Sequence, residues 1–212
     1  MEEAVESRRI RHRRELHGSI VDEALHQLRE GGVSAISLRG IGRSLGMSAP
    51  AIYTYFPSLT DLITELIVRC TLSLADALRH ALPDSPDSSV ERQLRDAPQA
   101  YRQWALAHRR EFNLIFFDQI IGYSAPESGE TVSAQSEMLH VLARPFAELH
   151  GYEPADLLSR DDVLDEFLGW WGSFHGLIAL EVNHHLDWRN SERIFHRQIE
   201  AINGALRGVS GD

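Results

Sequence analysis

The sequence predicts an all-α protein, of one compact domain or two small ones. Three observations carry that reading. Apolar residues recur at spacings of three and four along almost every segment. No stretch alternates apolar and polar residues as a half-buried strand does. Glycines, prolines and capping hydroxyls fall between the periodic segments, where helices start and stop.

Each element follows in order. Over residues 10–28, Leu16, Ile20, Val21, Ala24, Leu25 and Leu28 keep the helical spacing, and Gly31-Gly32 ends it. Ser37 is placed to cap a short helix that reaches Leu45, with Leu38, Ile41 and Leu45 on one face. Gly46 breaks that helix, and Ser48 caps the next, whose first turn tolerates Pro50. Pro57 closes it after Phe56, and a long helix follows over about 59–82. Residues 83–98 read as a linker, or as a loop holding a weak helix. Further helices are expected at 98–109, 111–122, 131–150, 162–185 and 190–207, with a turn-rich loop from Gly122 and a connection over 151–161.

Composition excludes several classes. The chain has 212 residues and 43% hydrophobic side chains, enough to bury a core without disulfides. Its single cysteine, Cys70, cannot form an internal disulfide. No apolar stretch approaches the ~20 residues that span a bilayer. The basic N-terminus is not followed by the apolar core of a signal peptide. The expectation is a cytoplasmic protein without a membrane partner. The net charge of −10 is unevenly shared: residues 1–56 hold 8 Arg against 7 acids, and the acidic excess lies beyond them. Arg8, Arg9, Arg11, Arg13 and Arg14 crowd one end, which is able to touch phosphates locally or simply to be a solvated helix start.

A short helix, a glycine turn and a second short helix form the unit that lays one helix in a DNA major groove. Leu38, Ile41, Gly42, Leu45, Ile52 and Phe56 supply the packing between the two helices, and Gly46-Met47-Ser48 permits the tight turn. Ala49, Pro50, Tyr53, Thr54 and Tyr55 are candidates for the face presented to DNA. Any three-helix bundle has a similar silhouette, so the pattern alone leaves DNA binding open.

The run SLRGIGRSLGMSAPAIYTYFPSLTDL over residues 37–62 resembles the N-terminal signature of the TetR family of transcriptional regulators. The resemblance is strong over residues 13–66. It implies a helix-turn-helix DNA-binding domain over residues 1–58, and a helical effector-binding and dimerisation domain over residues 59–212. It implies that Ser37 caps the first helix and touches a phosphate, and that Arg39 reaches a base edge, where a guanidinium suits bidentate contact to guanine. Ser48 matches the cap of the recognition helix, and Ala49 and Pro50 match base-facing positions suited to thymine methyls. Tyr53 and Tyr55 match residues whose hydroxyls grip the backbone, although Tyr53 reads equally well as packing. Phe56 reads as core and Arg43 as solvated surface. The family usually has lysine where this chain has Leu59, and the arginine cluster is able to offset that loss.

The segment 163–182 is apolar over most of its girth, which implies burial on several sides. One stripe, Gly169, Gly172, Ser173 and Gly176, lets another backbone approach closely, and Phe195, Ile199, Ile202 and Leu206 offer a matching face on the last helix. Together they read as a four-helix dimer seam, or as the central core of a monomer. Trp171, His175-Gly176 and Leu180-Glu181 also resemble a C-terminal motif of one TetR subgroup. An effector cavity would be lined by Trp104, Phe112, Phe116, Phe117, Trp171 and Phe174, with His175 or Arg102 supplying a polar contact. Each of these aromatics reads as plain core as well.

Other classes fit poorly. His175, Glu181, His184 and His185 suggest a metal site, but adjacent histidines on a helix point about 100° apart, and no HExxH or cysteine pair occurs. There is no G-x-S-x-G, phosphate-cradling loop or dinucleotide fingerprint. Cys70 reads as a buried, inert thiol. The expectation is no enzyme and no cofactor, but a dimeric repressor on a palindromic DNA operator, released by a small, apolar effector. A DNA binder without small-molecule sensing is the alternative, and a helical metal protein a more distant one.

Overall fold

The computed structural model describes residues 2–82, 89–118, 129–157 and 160–209. Its helices are α1 (Glu2–Gly31), α2 (Leu38–Ser44), α3 (Ala49–Tyr53), α4 (Leu59–Ala81), α5 (Val90–Ala107), α6 (Arg109–Phe116), α7 (Glu130–His150), α8 (Pro154–Leu157), α9 (Asp161–Val182) and α10 (Ser191–Val209), with a 3-10 turn at Val33–Ala35. No strand occurs among the described residues. The all-α expectation therefore stands. The chain divides into two compact units, residues 1–70 with 110–131 and residues 71–109 with 132–212.

In the first unit, Ile20, Val21, Ala24 and Leu28 of α1 pack with Ile41 of α2, Ile52 of α3 and Leu62, Ile63 and Leu66 of α4. The helical period places each of these on one face of its own helix. The division at 58/59 expected from sequence coincides with the start of α4, but the compact unit runs on to Cys70. The reason is that Ile67 and Cys70 continue the α4 face that completes this core. Leu114 of α6 joins the same cluster. Glu111 of α6, 4% exposed, accepts a 2.6 Å hydrogen bond from Arg29 Nε of α1, so a charge buried at the helix start has its counter-ion. Burial pushes the Cys70 thiol up to about 12, with the Glu111 charge adding to it. Such a thiol is not a nucleophile at neutral pH.

The second unit corrects the reading of residues 83–98. Residues 83–88 lie outside the described residues, but α5 already begins at Val90, where Ser89 Oγ accepts from the Arg92 N–H. Pro98, taken as a boundary, lies inside α5. A proline there has no N–H for the carbonyl four residues back. Asn203 Nδ2 of α10 donates to that carbonyl, Leu94 O, at 3.0 Å, and Asn203 Oδ1 accepts from Trp170 Nε1 of α9 at 3.0 Å. One amide thus replaces the missing helix bond and joins three helices. Similarly, α6 ends at Phe116, earlier than expected, and the turn-rich loop from Gly122 lies almost wholly outside the described residues.

The end of α9 is closed by a left-handed residue. His184 has φ 63°, His185 N–H donates to Leu180 O at 2.8 Å, and His184 N–H donates to Glu181 O at 3.2 Å. This is the double bond pattern that usually selects glycine at the left-handed position. His184→Gly is expected to raise stability by about 0.5–1 kcal/mol by removing the Cβ strain. A rise in the urea midpoint checks it; a fall would mean that the His184–Asp187 contact at 3.0 Å outweighs the strain.

Candidate nucleic-acid interface

The turn between α2 and α3 is built by backbone bonding. Gly46, at φ 65°, occupies the left-handed position after α2. Met47 N–H donates to Gly42 O at 2.7 Å, and Gly46 N–H to Arg43 O at 3.3 Å. A side chain at 46 would strain that bend. Gly42 meets a different requirement: a Cβ there would lie 3.4 Å from Met47 O and 3.8 Å from Ile52 Cδ1, so its absence lets the turn and α3 sit close against α2.

Caps then fix both helix starts. Ser37 Oγ accepts from the Gly40 N–H and Ser48 Oγ from the Ala51 N–H, each at 3.3 Å. The Ser37 N–H donates to Gln27 Oε1 of α1 at 3.1 Å, so α1 also holds the entry to α2. No pattern in the sequence marks Gln27, because its role depends on where α2 returns. Ser58 and Asp61 form a reciprocal cap at the start of α4, Asp61 Oδ2 accepting from the Ser58 N–H at 2.9 Å and Ser58 Oγ from the Asp61 N–H at 3.1 Å.

The side-chain distribution follows from this frame. Ile52 and Phe56 are buried. Ser37, Arg39, Ser48, Ala49, Pro50, Tyr53 and Thr54 are exposed, Tyr53 at 43%. Thr54 Oγ1 donates to Ala51 O at 2.7 Å, so its hydroxyl proton is already used. Tyr55 is half-buried, with the Arg13 guanidinium 5.8 Å from its ring centroid. One guanidinium and a row of hydroxyls thus flank a small apolar patch at the head of α3, chemistry suited to a polyanion with readable base edges.

The eight residues assigned to an effector cavity are divided between the units. Phe112, Phe116 and Phe117 belong to the first, where their ring centroids lie 5.1–6.5 Å apart; Phe112 is fully buried and Phe117 47% exposed. Arg102, Trp104, Trp171, Phe174 and His175 belong to the second. There Arg102 is already engaged: its Nε and Nη2 donate to Glu181 at 2.7 and 2.6 Å. Trp104 Nε1 donates to Ser73 Oγ at 3.1 Å. Tyr101 and His175 Nδ1 are hydrogen-bonded at 2.8 Å, with Phe174 edge-on to Tyr101 and Trp171 beside His175. Burial lowers His175 to about 4, so its imidazole is neutral at pH 7. Tyr101 was not among the expected residues, because a helical aromatic reads as core until its partner is known.

On the expected dimer face, Gly169, Gly172 and Gly176 are exposed, and a Cβ built on any of them meets nothing within 4 Å. Beside them, Glu166, Gly169, Trp170, Ser173, Ile202, Ala205 and Leu206 line an open groove of about 260 Å³. Phe195 and Ile199 are 2% and 5% exposed and belong to this chain's own core, since their face of α10 turns inward. Ile202 and Leu206 remain half-exposed.

An all-helical chain with a capped helix-turn-helix near its N-terminus and a helical second unit defines the class. The domain family described as "Tetracyclin repressor-like, C-terminal domain" matches residues 94–202, and "Bacterial regulatory proteins, tetR family" matches residues 20–66. The chain belongs to the TetR family. It is 32% identical over 151 residues to HTH-type transcriptional regulators of Mycobacterium bovis (Mb1846) and Mycobacterium tuberculosis (Rv1816), covering 71% of this chain and 63% of theirs. Among solved structures, the regulatory protein SCO4313 aligns with TM-score 0.76 and 29% identity over 92% of this chain and 98% of its own. A TetR variant of Acinetobacter baumannii, solved in complex with minocycline, shares the fold at TM-score 0.60 and 16% identity, over 92% of this chain and 98% of its own.

Proposed function

We propose that this protein is a cytoplasmic transcriptional repressor that binds a near-palindromic operator as a homodimer, through residues 37–56 of each protomer. The observation that carries the reading is the exposed face of Arg39, Ser48, Ala49, Pro50, Tyr53 and Thr54 on a turn held tight by Gly46. Arg39 reads a base edge, the capping serines and tyrosine hydroxyls hold phosphates, and Ala49 and Pro50 touch apolar base edges. The domains divide this work as residues 1–58 for DNA and 59–212 for sensing and dimerisation. Dimerisation is supported by the open glycine stripe of α9 and the groove it shares with α10.

A small, apolar effector releases the operator. The minocycline complex of the Acinetobacter relative supports small-molecule sensing in this fold. To reach the aromatic group of Tyr101, Trp171, Phe174 and His175, an apolar effector would have to open its packing, since Tyr101 and Phe174 are fully buried and Tyr101 is hydrogen-bonded to His175. The continuous helix α4, which contributes to both units, is the covalent route between the two functions. For switching, the effector must favour the DNA-incompetent state by a few kcal/mol.

Selection of duplexes from a random library, with Arg39→Ala run in parallel, tests the reading. The native protein is expected to enrich a two-fold symmetric site, and the variant to lose about 1–3 kcal/mol and relax one base position in each half-site. Absence of enrichment at low salt would overturn it.

A further inference from the structure

The arginine-rich start of α1 is not used by the helix-turn-helix itself. Residues 8–14 hold five arginines and no acid, and all five arginines are exposed. None is paired with a carboxylate among the described residues; only His12 approaches one, Glu15, at 3.9 Å. An unneutralised cluster of this kind on one helix repels itself and is relieved by a polyanion. Charge alone leaves it a solvated helix start, so its placement in the first unit decides the matter.

That placement is set by two ring contacts. The Arg13 guanidinium lies 5.8 Å from the Tyr55 ring centroid, and one turn further on the His17 ring lies 4.8 Å from Phe56. Tyr55 and Phe56 follow the Thr54 cap of α3, so α1 runs beside the end of the motif. At about 100° per residue, the Arg9 backbone position lies within about 40° of Arg13 around the helix, and the Arg9 side chain also borders an open concavity with Arg8, Arg11, His12 and Glu15. Arg8 and Arg11 lie about 140–160° away from Arg13, on the opposite side. Arg9 and Arg13 are separated by about 6 Å along the axis, close to two charge spacings on one DNA strand, where charges fall about every 3.4 Å along the duplex axis.

We propose that Arg9 and Arg13 form a second anion-binding site beside the helix-turn-helix, gripping two DNA backbone phosphates that flank the bases facing α3. The inference rests on the DNA-binding reading above and extends its footprint. Arg13 lies over the Tyr55 ring, which restricts the guanidinium and leaves its outer N–H groups for a phosphate. Arg9 continues the line one turn outward. These contacts carry no base information; they add affinity and set the register of the motif on the duplex.

The test compares two double variants of the full chain, Arg9→Ala/Arg13→Ala and Arg8→Ala/Arg11→Ala. Both remove two exposed positive charges, so long-range electrostatics is matched and only the face differs. The probe is the duplex that the native protein enriches from a random library, with binding followed between about 50 and 200 mM salt. The expected result is a slope of log affinity against log salt shallower by about 1.8 per bound protomer for the 9/13 variant, and a change under half of that for the 8/11 variant. Unfolding midpoints measured in parallel verify that both variants remain folded. Equal flattening in the two variants would make the cluster a diffuse charge and overturn the site, as would an unchanged slope in both. A native protein that enriches no duplex would overturn the DNA-binding reading together with this one, and that outcome appears before any variant is made.

Discussion

Replacing Glu181 with alanine is expected to destabilise the protein at pH 7 by about 3–5 kcal/mol. Arg102 and Glu181 are paired with side-chain exposures of only 9% and 12%. Ser191 Oγ donates to Glu181 Oε1 at 2.6 Å, and the Arg102 guanidinium lies 5.2 Å from the Phe195 ring centroid. Removing the carboxylate therefore leaves a guanidinium held among apolar groups without a counter-ion. Burial alone would raise the Glu181 carboxyl, but the hydrogen bonds from Arg102 and Ser191 and the charges of Arg102 and Arg109 outweigh it and hold the group below its usual 4.5. A carboxyl depressed in the folded state stabilises fully above its unfolded value, and that contribution is lost as pH falls through the folded value. The gap between native and variant is thus whole at neutral pH and narrows below about pH 4.5. Urea unfolding at fixed protein concentration across pH measures it. The paired variant Arg102→Met/Glu181→Met is expected to recover most of the loss, since it removes both desolvation costs. A single variant that costs under about 1 kcal/mol at pH 7 would show that water reaches the pair.

Asn203→Leu is expected to cost about 2–5 kcal/mol, because it orphans two buried groups at once. The amide is 4% exposed and serves both the Leu94 carbonyl, left without a helix partner by Pro98, and the Trp170 indole N–H. Leucine keeps the branched outline of the amide but is larger, so no cavity forms and the loss reports hydrogen bonding together with any overpacking. The cycle with Pro98→Ala isolates the cause: alanine restores an N–H facing Leu94 O, so Asn203→Leu should cost about 1–3 kcal/mol less in that background. Equal costs in both backgrounds would mean that the Leu94 carbonyl does not depend on Asn203.

Much of this was legible before the structure. The helical period of α1 and α4, the capping serines at 37 and 48 and the glycine at 46 each act within a turn of their own position. A left-handed bend, a serine cap and an apolar stripe are local requirements, and local requirements are written in adjacent residues. The run around them also carried the family resemblance, and the domain matches over 20–66 and 94–202 agree with it.

The less legible parts involve partners distant in the chain. Pro98 read as a boundary because nothing nearby compensates it; the compensating amide is 105 positions later. Arg102, with His175, read as a polar contact for an effector, and Glu181 pairs with it from α9. Phe195 and Ile199 read as part of a dimer seam or as the core of a monomer, and they are buried within the chain itself.

The sequence by itself therefore determined most of the helices and the turn that sets α3 against α2, from spacing over a few residues, while the family followed from the resemblance of the run around that turn. Tertiary structure alone decided which charges are spoken for, which aromatics are core and where the basic turns of α1 lie. Those outcomes depend on which side chain meets which across helices, and a buried polar group takes whichever partner the packing brings within hydrogen-bond reach, at whatever distance along the chain.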